Sequence, residues 1–367
     1  MANENSSDTG VQQQPRGVHL VGSVPLGNAE EVFRAASSIL GARLRRIPDG
    51  ETGERTYWIS WQLLFLANNP QFEMVPADPD AIAPRPRVKL RSPLTSSEIT
   101  FDQLGYAHAA TSSYAVFSRL KQAGLIPARC RFQVSLPTPL APIAVFVIPE
   151  NQAVVEPAYK AAMFAELERI TSAIPPDELA IQWDVAVEFA IWEGVSPLYL
   201  ANVKTEFPPD FKAGILEQLV ELGNRVPANV ELGYHLCYGD AGHRHFKEPV
   251  DTTNLVEVAN AISSNIKREI NWIHMPIPRD RSDDAYFAPL SNLKLRPEAE
   301  LYLGLVHFTD GVEGTRRRIA TAQRVVSDFG VATECGLGRR PVATIPDLLR
   351  IHCEVSAPIS VRRNAND

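Results

Sequence analysis

The chain has 367 residues, of which 45% are hydrophobic and 22% charged, a composition typical of a globular protein with a large core. Its net charge of −7 at pH 7 and the lack of a basic stripe argue against nucleic acid as a partner. No apolar run is long enough to span a bilayer, and four widely spaced cysteines (Cys130, Cys237, Cys335 and Cys353) argue against a disulfide framework. We therefore expect a cytoplasmic protein without a membrane partner.

Residues 1–15 are polar and contain no apolar segment of signal-peptide length, so we predict a disordered tail followed by one domain over residues 16–360. Two short basic runs, Arg316–Arg318 and Arg339–Arg340, are interpreted as solvated helix starts or anion clamps.

Short apolar, β-prone runs alternate with helical segments along most of this domain. The strand-like runs are Val18–Val24, Arg43–Ile47, Arg131–Leu136, Leu179–Trp183, Val230–Leu236, Ile270–Met275, Leu301–Val306 and Val331–Thr333. The helical segments between them include Ala29–Leu40, Tyr106–Ala123, Tyr159–Ala173, Asp210–Leu222, Asn254–Ser263 and Glu313–Phe329. This alternation predicts a parallel sheet with right-handed crossovers, and eight such runs predict closure into a single α/β (β/α)8 TIM barrel.

Three stretches are longer than a minimal barrel requires. Thr52–Leu125 is Pro-rich around residues 76–93 and is predicted to be an insertion after the second strand that covers one mouth of the barrel. His243–Thr253 and Pro276–Pro297 are predicted to be long loops at the carboxyl-end mouth, where such loops usually build or gate an active site.

Most of the apolar runs end in a residue with functional chemistry. These residues are Ser23, Asp49, Glu51, Ser135, Asp184, His235, Cys237, His274, His307 and Cys335. Because the carboxyl ends of all barrel strands meet at one mouth, we expect these side chains to converge there.

His235 and Cys237 have the i, i+2 spacing that places two side chains on one face of a strand. With Cys335 arriving from the last strand, and His274 from the sixth as the best fourth ligand, they are typical of a zinc-ligand set. The alternative is equally open: His235 is a satisfied barrel histidine, Cys237 a small buried hydrophobe and His274 a capping residue. Cys130 and Cys353 lie beside helical segments and are predicted to be packing residues.

Acidic side chains follow two of the strands. Asp184 ends an apolar run, where an unpaired carboxylate is unfavourable, so it should hold a cation, an amine or an imidazole. Asp49 and Glu51 form an acidic turn that could bind an ammonium group. The alternatives are a solvated strand end or a helix cap for Asp184, and a solvated turn for the other two.

Together these residues resemble the cobalamin-independent methionine synthase family, in its catalytic C-terminal barrel, which shares a superfamily with uroporphyrinogen decarboxylase. The matching segments are Val21–Pro25, Asp49–Glu51, Ile181–Asp184, His235–Tyr238 and Glu334–Leu337, spread over nearly the whole chain. The His-x-Cys and Cys-Gly-Leu segments are the specific ones.

The resemblance implies that zinc is held by His235, Cys237 and Cys335. The family's glutamate ligand is missing from the strand over residues 270–276, so His274 is the expected replacement in a His2Cys2 site. Asp184 matches the aspartate that grips the substrate's amino group, although the usual Asp-Glu-Pro has become Asp-Val-Ala here. The resemblance also implies substrate binding by Ser23, Asp49 and Glu51. We expect a protein without the family's N-terminal folate-gripping barrel.

We therefore predict a zinc-dependent alkyl (methyl) transferase whose small-molecule substrate is an amino-acid thiol. Zinc would bring the thiol to its thiolate form, which attacks an alkyl carbon. His307 is the candidate proton donor to the leaving group, unless it is only a loop hydrogen-bonder. The alternatives are a metal-free lyase or decarboxylase on the same barrel, and a barrel kept for binding or scaffolding. Whether the chain forms a homo-oligomer is left open.

Overall fold

The computed structural model describes residues 14–79, 84–195 and 210–359, so nearly all of the predicted tail lies outside the described residues. Within them, seven parallel strands form one sheet in the order β1-β4-β5-β6-β7-β8-β9, and β2 pairs with β3 in a small antiparallel sheet. The strands are β1 (Arg46–Pro48), β2 (Phe72–Val75), β3 (Arg87–Leu90), β4 (Arg131–Pro137), β5 (Leu179–Val185), β6 (Glu231–Leu236), β7 (Trp272–Pro276), β8 (Glu300–Val306) and β9 (Gly330–Thr333). The predicted α/β class and parallel sheet are confirmed.

Helices connect these strands. They are α1 (Ala29–Leu40), α2 (Gln62–Asn68), α3 (Tyr106–Gln122), α4 (Leu140–Phe146), α5 (Pro149–Ala173), α6 (Val187–Trp192), α7 (Phe211–Arg225), α8 (Thr253–Asn265), α9 (Asp284–Phe287), α10 (Gly311–Ala322) and α11 (Ile345–Val355). Among the described helices, none combines the length and the apolarity that crossing a membrane requires.

The predicted first strand, Val18–Val24, is not a regular strand. Val18 instead forms isolated parallel bridges with Leu44, just before β1, and with Val331 of β9, so it contacts both edges of the sheet. Beyond it, the carbonyls of residues 20 and 21 accept hydrogen bonds from the side chains of Gln133 and Gln182. These side-chain amides satisfy the backbone groups that a neighbouring strand would otherwise pair.

The sheet is strongly curled, as a buried arginine on its inner face shows. Arg46 of β1 forms ion pairs with Glu231 of β6 (2.5 Å) and Glu300 of β8 (3.1 Å), and its guanidinium lies 4.1 Å from the ring centroid of Trp272. In a flat sheet β1 and β8, which are five strand positions apart, would lie about 24 Å from each other, at about 4.8 Å per strand. Side chains of β1, β6 and β8 meet only because the sheet curves around them.

The long segment between β1 and β4 contains α2, the β2–β3 hairpin and α3. Phe72 and Val88 of the hairpin are fully buried in the main hydrophobic core, so this predicted insertion packs as part of the domain. Its covering role stays a prediction, although Trp58, which precedes the hairpin, lines the cavity described below.

Candidate metal and substrate site

A cavity opens at the carboxyl ends of the parallel strands. Its polar and aromatic lining includes Ser23, Glu51, Trp58, Asp184, His235, Cys237, Asp240, Phe246, Cys335 and Arg339. These residues come from segments distant in sequence, and they meet because parallel strands end at the same edge of the sheet. The structure therefore brings together six of the candidate residues: Ser23, Glu51, Asp184, His235, Cys237 and Cys335.

Three of these residues form a potential metal-binding group. His235 is the penultimate residue of β6, Cys237 directly follows this strand, and Cys335 lies two residues after β9, with their ligand atoms all within 4.8 Å of one another. The two sulfurs are 3.7 Å apart, and the hydrogen bond to Cys237 together with burial raises the pKa of the Cys335 thiol well above its usual value. A cation is what would make two thiolates favourable in this position.

The ring of His235 is oriented by a second histidine. Its Nδ1 lies 2.7 Å from Nδ1 of His274, whose Nε2 lies 3.0 Å from the carbonyl oxygen of Thr333. Since that carbonyl can only accept, His274 carries its proton on Nε2, and its Nδ1 accepts the proton of His235. The Nε2 of His235 is left buried without a hydrogen-bond partner among the described residues. A buried imidazole lone pair beside two thiols fits a borderline-soft cation such as Zn²⁺.

Burial keeps both imidazoles neutral at neutral pH. It lowers the pKa of His274 to about 3, and burial together with the neighbouring His274 holds the pKa of His235 well below its usual value. Neutral imidazole is the form that binds a metal ion.

His274 does not lie where the predicted fourth metal ligand would lie. It is fully buried, both of its ring nitrogens already have partners, and it belongs neither to the metal-binding group nor to the described cavity lining. The structure thus presents three ligand residues rather than a His2Cys2 set. Three protein ligands with one open position are typical of catalytic zinc, whereas four protein ligands close a structural site.

Two carboxyl groups form an acidic wall of the cavity. Removal from water and the nearby Asp184 carboxyl raise the pKa of Glu51 well above its usual value, and burial raises the pKa of Asp184 to about 7. Gln182 donates a hydrogen bond to Asp184 (Nε2–Oδ1 2.8 Å), and Trp58 donates another. Because each carboxyl disfavours the charge of the other, a cationic group bound between them would be stabilised.

Asp49 has a different position from the one predicted. Its carboxylate pairs with Arg55 (2.6 Å) and accepts hydrogen bonds from Ser113 (2.7 Å) and from the backbone N–H of Glu51 (2.8 Å). It is buried and absent from the described cavity lining. Asp49 therefore stabilises the turn that presents Glu51, which has a left-handed φ of +47°.

His307 also lies outside the described lining. Its Nε2 donates to the carbonyl of Ile277 (2.9 Å), and its Nδ1 is 3.7 Å from Glu334. Burial lowers its pKa to about 4, so it is neutral at neutral pH. This placement does not support the predicted role of proton donor and agrees with the alternative of a loop hydrogen-bonder.

The loop over residues 239–252, which overlaps the predicted loop His243–Thr253, contacts the metal-binding group indirectly. The side chain of His245 is buried and forms ion pairs with Glu248 (3.1 Å) and with Glu334 (3.4 Å), the residue before Cys335. Burial alone would lower the pKa of His245, but these two carboxylates raise it to about 10. Phe246, the next residue, lines the cavity.

Sequence reasoning missed Trp58, Asp240, Phe246 and Arg339 as lining residues. Phe246 lies in the predicted loop His243–Thr253, Asp240 lies three residues before that loop, and Arg339 belongs to a basic run interpreted as a helix start or an anion clamp. No local pattern marks Trp58. Its place in the cavity lining depends on the course of a turn, in which its φ is +56°.

No protein-family model matches the chain, and no curated protein sequence matches it. Solved structures do. A B12-independent methionine synthase from Shewanella sp. W3-18-1, in complex with selenomethionine, matches over 93% of this chain and 97% of its own, with a TM-score of 0.59 and 14% identity. The chain shares the fold of B12-independent methionine synthases.

Two further structures agree with this. A candidate vitamin-B12-independent methionine synthase from Listeria monocytogenes has a TM-score of 0.52 and 14% identity, covering 94% of this chain and 99% of its own. A methyltransferase from Methanosarcina mazei has a TM-score of 0.54 and 13% identity, covering 94% of both chains. The resemblance to the methionine synthase family that the sequence predicted is confirmed at the level of the fold.

Proposed function

We propose that this protein is a zinc-dependent alkyl transferase, most simply a methyltransferase, that acts on a thiol. One observation carries the proposal: His235, Cys237 and Cys335 place an unpartnered imidazole nitrogen and two sulfurs within 4.8 Å at the wall of a cavity. The names of the structural neighbours, two methionine synthases and a methyltransferase, support the same reaction class.

The three residues would hold the zinc ion, with His274 orienting His235 from behind. When bound, zinc would lower the pKa of a substrate thiol, so that the thiol reacts as its thiolate. The sulfur then forms a bond to the alkyl carbon, and the bond between that carbon and its leaving group breaks, with the electron pair staying on the leaving group. The thiol proton is released to solvent.

The acidic wall selects the other end of the substrate. Glu51 and Asp184 would bind an ammonium group, which supports an amino-acid thiol as the substrate, and Ser23 adds a hydroxyl at the same mouth. We also propose that residues 16–19, which bridge both edges of the sheet, act as an eighth strand and close residues 16–360 into a (β/α)8 barrel.

A transfer assay tests this function. Zinc-loaded protein is incubated with L-homocysteine and either methyl-tetrahydrofolate or iodomethane, and thioether formation is followed by mass spectrometry. We expect zinc-dependent product formation that Cys335→Ser abolishes and that Cys353→Ser, a cysteine on α11, retains. Equal rates of thioether formation in the two variants would contradict the role of Cys335. Catalysis of carbon–carbon cleavage by metal-free protein would favour the lyase alternative.

A further inference from the structure

Two consecutive arginines follow Cys335, and only one of them is used by the fold. Arg340 pairs with Glu334 (Nη2–Oε1 3.0 Å). Arg339 is half-buried and lines the cavity, yet its guanidinium has no hydrogen bond or ion pair within the described ranges 14–79, 84–195 and 210–359. The described lining contains no lysine and no second arginine.

We infer that Arg339 is a specificity-determining residue, whose guanidinium binds an anionic group, a carboxylate or a sulfonate, of the substrate thiol. This inference rests on the proposed function, because the thiol end is taken to lie at the His235–Cys237–Cys335 group. It adds a specificity-determining residue to that site.

The charge of Arg339 reaches both halves of the cavity. Its guanidinium partly offsets the rise in the pKa of Glu51 on the acidic wall. It also lines the same cavity as His235, Cys237 and Cys335. Arg339 therefore belongs to the cavity in which we place both the ammonium and the thiol. A planar fork of N–H donors in this position matches the oxygens of a carboxylate or sulfonate.

The acidic residues of the cavity do not occupy this arginine. Within the part of the chain that the structure describes, none of their carboxylate oxygens lies within 4.0 Å of a guanidinium nitrogen of Arg339. The donors of Arg339 thus stay available to a ligand.

A second donor lies on the same wall. Gly338, the residue before Arg339, donates its backbone N–H to the hydroxyl oxygen of Ser23 (3.2 Å), which leaves the Ser23 proton free to donate. A Cβ at Gly338 would lie 2.8 Å from that oxygen, so glycine lets the Arg339 segment approach Ser23 closely. The two donors together form an anion-binding corner.

Matched thiols test the inference. Binding of 3-mercaptopropionate and of its uncharged analogue 3-mercaptopropan-1-ol is measured by calorimetry on zinc-loaded protein. Arg339→Gln should weaken binding of the acid by about tenfold or more and leave binding of the alcohol within about twofold. Arg339→Lys should restore part of the loss, and Arg316→Gln, at an exposed position of α10, should change the binding of neither thiol. Equal weakening of both thiols, or no weakening of the acid, overturns the inference.

Two more ligands separate the sources of the anion. Stronger Arg339-dependent binding of L-homocysteine supports an amino-acid carboxylate, and stronger binding of 2-mercaptoethanesulfonate supports a sulfonate. If the wild-type protein binds neither zinc nor thiols, the proposed function fails, but butyrate still tests the corner on metal-free protein. Arg339-dependent butyrate binding then supports the anion site, and binding that Arg339→Gln does not change overturns it.

Discussion

His274 does not touch the cavity, yet it determines which nitrogen of His235 faces it. We predict that His274→Gln lowers zinc affinity by about 10- to 100-fold, because the tautomer and orientation of the ligand ring are lost. Zinc affinity is measured by competition with a chromophoric chelator. His352→Gln, which removes a buried histidine of α11, is the matched control and should leave zinc affinity unchanged. Equal affinities of the two variants would show that His274 only fills space.

Glu188 on α6 is a buried carboxyl group that takes no part in the proposed mechanism. Burial raises its pKa to about 7. An acid with a raised folded-state pKa binds more protons when folded, so its contribution to stability is lost as pH rises from about 4.5 to about 7. We predict that Glu188→Gln raises the free energy of unfolding by about 2–3 kcal/mol at pH 8 and by about 1 kcal/mol or less at pH 5.

Urea unfolding at the two pH values measures this difference. Glu168→Gln, on the exposed side of α5, is the control and should change stability by less than about 0.5 kcal/mol at either pH. A gain from Glu188→Gln that does not vary with pH would contradict the account of a desolvated carboxyl group.

The loop over residues 239–252 is held to the end of β9 mainly by His245. We predict that His245→Gln increases backbone hydrogen exchange throughout this loop, because the ion pairs with Glu248 and Glu334 are lost. Hydrogen–deuterium exchange with mass spectrometry measures it. Arg244→Gln, an exposed neighbour in the same loop, is the control, and the same protection in both variants would mean that other contacts hold the loop.

The sequence predicts an element well where local signals are complete. Helix α1 has the predicted bounds because Asn28 caps it and its apolar face is regular. Helix α5 begins ten residues before the predicted start, since Pro157 lies inside the helix and proline usually marks a helix boundary. Val18–Val24 has strand composition, but side-chain amides rather than a neighbouring strand satisfy its backbone.

Among the candidate site residues too, those marked by local signals could be predicted and those that depend on long-range contacts could not. Ser23, Asp184, His235 and Cys237 could be found because strand ends in a parallel sheet share one edge. The contribution of Trp58, and the difference between Arg339 and Arg340, depend on the course of loops and on long-range partners. No local pattern encodes the course of loops or long-range partners. For the same reason the sequence predicts direct roles in the site for His274 and Asp49, whereas in the structure His274 orients His235 and Asp49 stabilises the turn of Glu51.

Arg46 links strands across the curled sheet. Its replacement tests whether contacts on the inner face of the sheet stabilise the domain. We predict that Arg46→Met lowers the free energy of unfolding by about 2–3 kcal/mol, because Glu231 and Glu300 lose their buried partner and keep only their pairs with Arg131 and Arg45. Arg34→Met removes an exposed pair with Glu30 and should lower it by about 1 kcal/mol or less. Equal losses in urea unfolding would place the stabilising contacts elsewhere.

The proposed reaction depends on one metal ion that joins β6 to the end of β9. Its most direct test is the zinc content of the reconstituted protein, measured by mass spectrometry after dialysis, for the wild type and single Cys→Ser variants. We predict about one zinc per chain in the wild type and in Cys353→Ser, and a loss of zinc in Cys237→Ser and Cys335→Ser. A wild-type protein that retains no zinc, or zinc that persists without either cavity cysteine, would contradict the proposed metal centre.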